Sequence, residues 1–293
     1  MTKIILGITA LTITCASSIY AQSNAPLQTS FRHQLRNSDD GSGSVSVDRF
    51  DLRGGVPLMR KDGSLLALGF RYALDRYDFD NITANWESIH HANLGLASRW
   101  KINDKWLWAN YGIGGIAAEE GSDKDQALIF NYLSIAEYKV NDSLTIGPGF
   151  GVANQIDRDL SIFPIIAIDW QINEEWKMAS GPSDVAVAGA NVYFEYEPKA
   201  LQSKWIFTAG FSYSSKNFKL ASNSTTPDGS GEERLASVYL AASYKLESGV
   251  KVSAIAGYHL FQSYSIFDNR GNELSKENPD DAPFLGVTVG FEF

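Results

Sequence analysis

The 293-residue chain predicts an all-β fold, a closed antiparallel transmembrane β-barrel. Three observations carry that expectation. Residues 284–293 alternate without a break, with Leu285, Val287, Val289, Phe291 and Phe293 on one side and Gly286, Thr288, Gly290 and Glu292 on the other, as a strand with one apolar face requires. Turn-rich breaks recur along the whole chain, and short ones alternate with long ones. No run of eighteen apolar residues follows the first twenty, while aromatics reach 12% and mean hydropathy is -0.17. That balance suits a wall in which only alternate residues meet hydrocarbon.

Taken in order, Lys3, the apolar stretch 4–13 and the small residues up to Ala21 read as a secretory signal peptide over 1–21, cleaved at Ala21-Gln22. The remainder, 22–293, is then one outer-membrane β-barrel domain. Cys15 is preceded by Thr14 where a lipid-attachment motif has a small residue, so the only cysteine leaves with the signal and no thiol chemistry is expected. Strands are expected over 28–36, 44–56, 64–74, 88–100, 105–116, 127–140, 144–152, 160–171, 176–180, 190–197, 205–214, 234–246, 250–261 and 284–293. The weakest are 28–36 and 176–180, which leaves about 12 strands as the alternative to about 14.

The short breaks, among them Asp62-Gly63, Asn103-Asp104, Asn141-Asp142 and Asn173-Glu174, carry turn-forming residues and predict periplasmic turns. The long ones, 37–43, 75–87, 117–126, 153–159, 181–189, 215–233 and 262–283, predict extracellular loops. Trp100, Trp106, Tyr138, Trp170, Trp176, Tyr196, Trp205 and Tyr244 fall beside short turns as one interfacial girdle, and Tyr72, Tyr77, Tyr213, Tyr258, Phe261 and Tyr264 flank long loops as the other. Pro148 and Pro164 fall inside adjacent strands, where each removes a ladder donor and predicts a local break in pairing.

Charge is sorted by segment. The chain has 34 acidic and 25 basic residues, a balance that argues against nucleic acid as a partner, and the long loops hold most of the carboxylates. Strand parity places Arg32, Arg36, Arg49, Asp51, Arg53, Arg71, Arg99, Glu137, Lys139, Asp169, Glu195, Lys245, Lys251 and Glu292 on the inward face, the assignment that keeps charge out of lipid. Asp48 breaks the rule near the outer end of its strand. Gly69, Gly95, Gly112, Gly114, Gly147, Gly149 and Gly151 are assigned to the lumen, where they would leave volume. An inward wall with more Arg and Lys than carboxylate would favour anionic or zwitterionic solutes; side chains that paired with one another would instead fill the interior.

No cofactor or metal is expected. The acidic segments 39–44 and 268–273 offer oxygen ligands but lack the twelve-residue calcium loop. None of His33, His90, His91 or His259 has a Ser two residues downstream on the same strand face, and Asp78, Asp80, His90 and His91 show no specific catalytic spacing. An enzyme is therefore not expected.

The terminal aromatic and the alternation before it resemble the last strand of bacterial outer-membrane barrels. Together with the signal, the turn and loop asymmetry and the girdles, they make the chain similar to the uncharacterised, porin-like outer-membrane β-barrel families of Gram-negative bacteria, domain-of-unknown-function barrels. That resemblance implies an integral place in the cell outer membrane, contact with its lipid and lipopolysaccharide, and recognition of Leu285, Val287, Val289, Phe291 and Phe293 by the barrel-assembly machinery. By length, with about twenty mature residues ahead of the second strand and none after the last, neither a plug domain nor a periplasmic domain is expected. A porin-like channel for small solutes is the first expectation; a closed structural or surface-interaction barrel is the second, and a lipid- or peptide-hydrolysing barrel the third.

Overall fold

The computed structural model describes residues 27–36, 43–181, 189–201 and 204–291, with 183, 185 and 187 between them. The signal peptide, the acidic stretch at 39–42, Glu292 and Phe293 lie outside the described residues. In chain order the strands are β1 (Leu27–Gln34), β2 (Ser44–Lys61), β3 (Ser64–Asp80), β4 (Ser88–Lys101), β5 (Trp106–Glu119), β6 (Leu128–Lys139), β7 (Leu144–Gln155), β8 (Arg158–Gln171), β9 (Trp176–Ser180), β10 (Ala190–Tyr196), β11 (Trp205–Lys219), β12 (Ser230–Lys245), β13 (Val250–Phe267), β14 (Glu273–Glu277) and β15 (Ala282–Phe291). Sequential neighbours pair antiparallel from β1 to β13, β13 also pairs with β15, and β15 pairs with β1 from Leu27↔Phe291 to Gln34↔Phe284. This closes a 14-strand barrel, with β14 as a short flap on β13.

Alternation fixes which face meets lipid. On β3, Leu68, Phe70 and Tyr72 are exposed while Ala67, Arg71 and Ala73 are buried; on β15, Leu285 and Val287 are exposed while Phe284 and Thr288 are buried. The outward Asp48 is held by the outward His33 of the adjoining strand, Nδ1 to Oδ1 at 2.7 Å. Gly114 faces outward, and nothing approaches within 4 Å of a Cβ placed at Gly112 or Gly114. Their assignment to the lumen is corrected: buried Tyr111 and Ile113 take the inward parity of β5.

The periplasmic turns are local chemistry. Asn103 Oδ1 accepts from the amides of Lys105 and Trp106, Asn141 Oδ1 from Ser143 and Leu144, and Asn173 Oδ1 from Glu175 and Trp176, each at 2.9 to 3.0 Å. Asp62 and Gly63, with φ of 50° and 79°, make the two-residue turn that a right-twisted hairpin favours. Directly above the turns the girdle pairs across strands: Trp106 with Tyr138 at 4.8 Å, Trp176 with Tyr196 at 4.7 Å and Trp205 with Tyr244 at 5.0 Å.

The extracellular end departs from expectation. β3, β11, β12 and β13 run on through segments read as loops, to Asp80, to Lys219, from Ser230 and to Phe267. Tyr77 and Tyr264, expected in the outer girdle, point inward and are 7% and 1% exposed. For Tyr264 the cause is a backbone irregularity at Phe261, φ 53°, which reverses the parity of the rest of β13. A buried cluster of Val45, Val47, Tyr77, Ala84, Trp86, Ile89, Ala117, Phe218, Leu220, Tyr264 and Ile266 fills this end. Trp86, from the β3–β4 loop, makes edge contacts with Tyr77, Phe79 and Phe218. Across the same mouth Lys219 of β11 pairs in parallel with Ala118 of β5, although the two strands are far apart around the barrel.

Candidate functional site

Three layers are stacked inside the barrel. Under the aromatic lid lies an ion network. Arg49 makes two parallel bonds to Glu233, Nη1 to Oε2 at 3.0 Å and Nη2 to Oε1 at 2.5 Å, and reaches Asp75 at 3.1 Å. Lys216 Nζ bridges Asp75 at 2.5 Å and Glu233 at 3.3 Å, Arg71 Nε donates to Asp51 at 2.5 Å, and His91 Nε2 lies 3.7 Å from Asp75. Charges this deep persist because each is paired and hydrogen-bonded.

The middle layer is set by the connection between β9 and β10. Both strands are short, and the residues described between them, Ser183, Val185 and Val187, lie inside the barrel instead of outside it. Val185 and Val187, 1% and 3% exposed, pack against Tyr239 and Ala241 of β12, Ile255 of β13 and Phe284 of β15. Arg53 Nη2 donates to the carbonyl of Ser183 at 3.1 Å and Arg53 Nε to Gln28 Oε1 at 2.6 Å, which ties the segment to β1 and β2. The expectation of an extracellular loop at 181–189 is corrected.

Around this layer the wall carries polar atoms with no hydrogen-bond partner among the described residues: Ser30 Oγ, Arg32 Nε, Asn93 Oδ1, Asn131 Oδ1, Ser212 Oγ and Thr288 Oγ1. Ser30 and Thr288 are register partners, and Arg32 stands opposite Gly286, where a Cβ would meet its Cγ at 2.5 Å. The inward face of β4 to β8 also carries an apolar cluster, with Ala97, Ala109, Tyr111, Leu133 and Ile135 backed by half-buried Phe163, Ile165 and Ala167.

At the periplasmic rim the remaining sequence-selected charges are paired. Arg99 meets Glu137 at 2.6 Å, Lys139 meets Asp142 at 2.7 Å, Lys177 meets Asp169 at 3.2 Å and Lys245 meets Glu197 at 3.5 Å. Glu195 and Lys251 are half-buried on the same inward face. Arg36 lies at the opposite, outer end and binds Asp78 at 2.5 Å. Sequence reasoning placed Asp75, Lys216 and Glu233 in loops and missed the contact of Ser237 Oγ with His259 Nδ1 at 2.8 Å. That pair sits on opposing strands β12 and β13, so only their register reveals it.

One stretch of wall is incomplete. β8 pairs with β9 only from Asp169↔Ala179 to Gln171↔Lys177, and β10 pairs with β11 only up to Tyr213. Above that level the facing edges of β8 and β11 have no ladder partner among the described residues, apart from Lys219 on Ala118. At the lower corner Ser180 Oγ accepts from the amide of Ile168 at 2.8 Å. At the upper corner Lys219 holds Asp157 at 3.0 Å and Arg158 holds Glu232 at 3.0 Å.

Comparison with known proteins agrees with this architecture. A family model described as a domain of unknown function, DUF6268, matches residues 63–292. No curated protein matches the sequence. Among solved structures, the COG4313 outer membrane channel from Pseudomonas putida F1 is similar over 95% of this chain and 98% of its own, at 8% identity and a TM-score of 0.54, a likeness of fold. The TodX monoaromatic hydrocarbon channel (deltaS2 mutant) covers 96% of this chain and 93% of its own at 8% identity and a TM-score of 0.48. The NanC porin covers 92% and 100% at 9% identity and 0.39. The chain shares the closed antiparallel β-barrel fold of the COG4313 channel.

Proposed function

The chain belongs to the DUF6268 family, and we propose that it works as a channel for small solutes. The observation that supports this reading is the ring of unpartnered polar side chains at the level of the inward segment. Keeping each such group dry would cost about 1 to 3 kcal/mol, so a barrel built only as a scaffold would have an apolar filling there. A hydrated lumen would satisfy these groups, and the inward residues Val185 and Val187 would narrow it. Arg32, whose Nε has no hydrogen-bond partner among the described residues, gives the path a positive charge; the network around Arg49 is paired.

Planar-bilayer recording tests the reading. The purified barrel should give discrete conductance steps, and removing 182–188 should enlarge them several-fold. Silence from both proteins would overturn the proposal. A closed barrel is the second reading, favoured by the lid around Trp86. It predicts silence from the intact protein and from the Trp86→Ala variant alike.

A hydrolase is a third reading, for which the Ser237–His259 pair is the specific observation. Ser237 and His259 are 0% and 3% exposed and the imidazole is stacked on Phe284 at 4.3 Å, a packed environment that favours a structural role. Esterase turnover lost on Ser237→Ala would support the third reading instead.

A further inference from the structure

The gap between β8 and β11 has the marks of a built opening. Ile168 turns its amide toward the β9 side, so the alternation of an antiparallel ladder aims Leu160, Ile162, Pro164 and Ile166 at the gap. Pro164 has no amide hydrogen, so the residue expected to break the wall removes a donor from an edge that has no ladder partner among the described residues. Its ladder with β7 is continuous through Phe150↔Pro164. Pro148 is the contrast: it faces β6, and there the pairing lapses between Ile135↔Gly149 and Tyr138↔Ile146. Ser180 Oγ also approaches the Ile166 carbonyl, at 3.4 Å, which dresses the lower corner.

The rim of the gap is greasy outside. Leu160, Ile162 and Ile166 are 63%, 73% and 71% exposed, as expected of a strand edge turned to hydrocarbon without a neighbour. Inside, the half-buried Phe163 and Ile165 lead to the apolar wall of β4 to β8, with Asn131 and Ser212 the polar atoms left unpartnered.

Resting on the channel reading above, we propose that this gap is a lateral portal through which small, uncharged, largely apolar solutes with one hydrogen-bonding group pass between the lumen and the outer leaflet. The aromatic lid and the β5–β11 contact narrow the outer end of the axial route, and the side wall offers a second way out. The apolar body of the solute lies along Phe163 and Ile165, while its polar group exchanges water for Asn131 or Ser212.

The test attaches a bimane fluorophore to single cysteines in the otherwise intact mature barrel, reconstituted in vesicles of phosphatidylcholine brominated along the acyl chains. Leu240→Cys, outward and 67% exposed, is the lipid reference, and inward Lys139→Cys is the lumen reference. Ser161→Cys, inward on β8 beside the gap, should be quenched at least half as strongly as the lipid reference, and cyclohexanol should relieve that quenching while sodium acetate does not. Quenching no greater than at Lys139→Cys, or no response to cyclohexanol, would overturn the portal. Phe163→Cys repeats the measurement if the first variant assembles poorly. A conducting barrel with an unquenched Ser161 label removes the portal and leaves the channel. A quenched, cyclohexanol-sensitive label in a silent barrel supports the portal against the axial channel.

Discussion

Two arginines on neighbouring strands show how differently one residue type is used. Arg49 is shared by Asp75 and Glu233, so Arg49→Met leaves two buried carboxylates with Lys216 as their main counter-charge. That change should cost about 3 to 5 kcal/mol, read as a lower temperature for loss of the folded band in a semi-native gel. Arg32, its register partner, has an Nε with no hydrogen-bond partner among the described residues. Arg32→Met should leave the unfolding temperature unchanged or raise it, and should shift the zero-current potential in a salt gradient toward cation preference. A destabilised Arg32→Met would show that its charge is structurally spent. The charges on β2 and β3 were legible because a period of two sorts them by side. Their partners were not, because Lys216 and Glu233 come from strands distant in sequence.

Among the elements, the turns at Asn103, Asn141 and Asn173 share one device, a side-chain oxygen that stands in for backbone. Asn141→Ala removes three accepted bonds, two from amides and one from the Ser143 hydroxyl, and should cost about 1 kcal/mol each at most, seen as a faster unfolding rate in detergent. The turns and the girdle above them could be read directly, since their determinants lie within a few residues. The strand 176–180, weakest by pattern, exists with those limits, and its shortness is what allows the chain to enter the lumen at Gly181. The apolar run Val185-Ala186-Val187-Ala188 is the one local sign of an inward course in 181–189, and the burial of its valines depends on Ile255 and Phe284 across the barrel. Replacing both valines with Asp should free the segment, which hydrogen exchange at Val192 and Tyr193 would report as faster exchange.

For the molecule as a whole, membership of the closed-barrel class was readable from both faces of each strand, and the count of fourteen follows once β1 joins β15. The outer third was misjudged as loop because its strands leave the hydrocarbon and alternation there no longer separates grease from water. What holds that region is the lid, and Trp86→Ala should cost about 3 to 5 kcal/mol and open the mouth. In the same bilayer recordings, longer dwell in a larger open state would be the sign of that opening. The meeting of Lys219 with Ala118 carries a further consequence. It divides the summit into a filled turret and a separate flank bounded by β6, β7 and β8, so an antibody or phage tail seated on the turret would cover the surface-exposed crown without obstructing traffic along the flank.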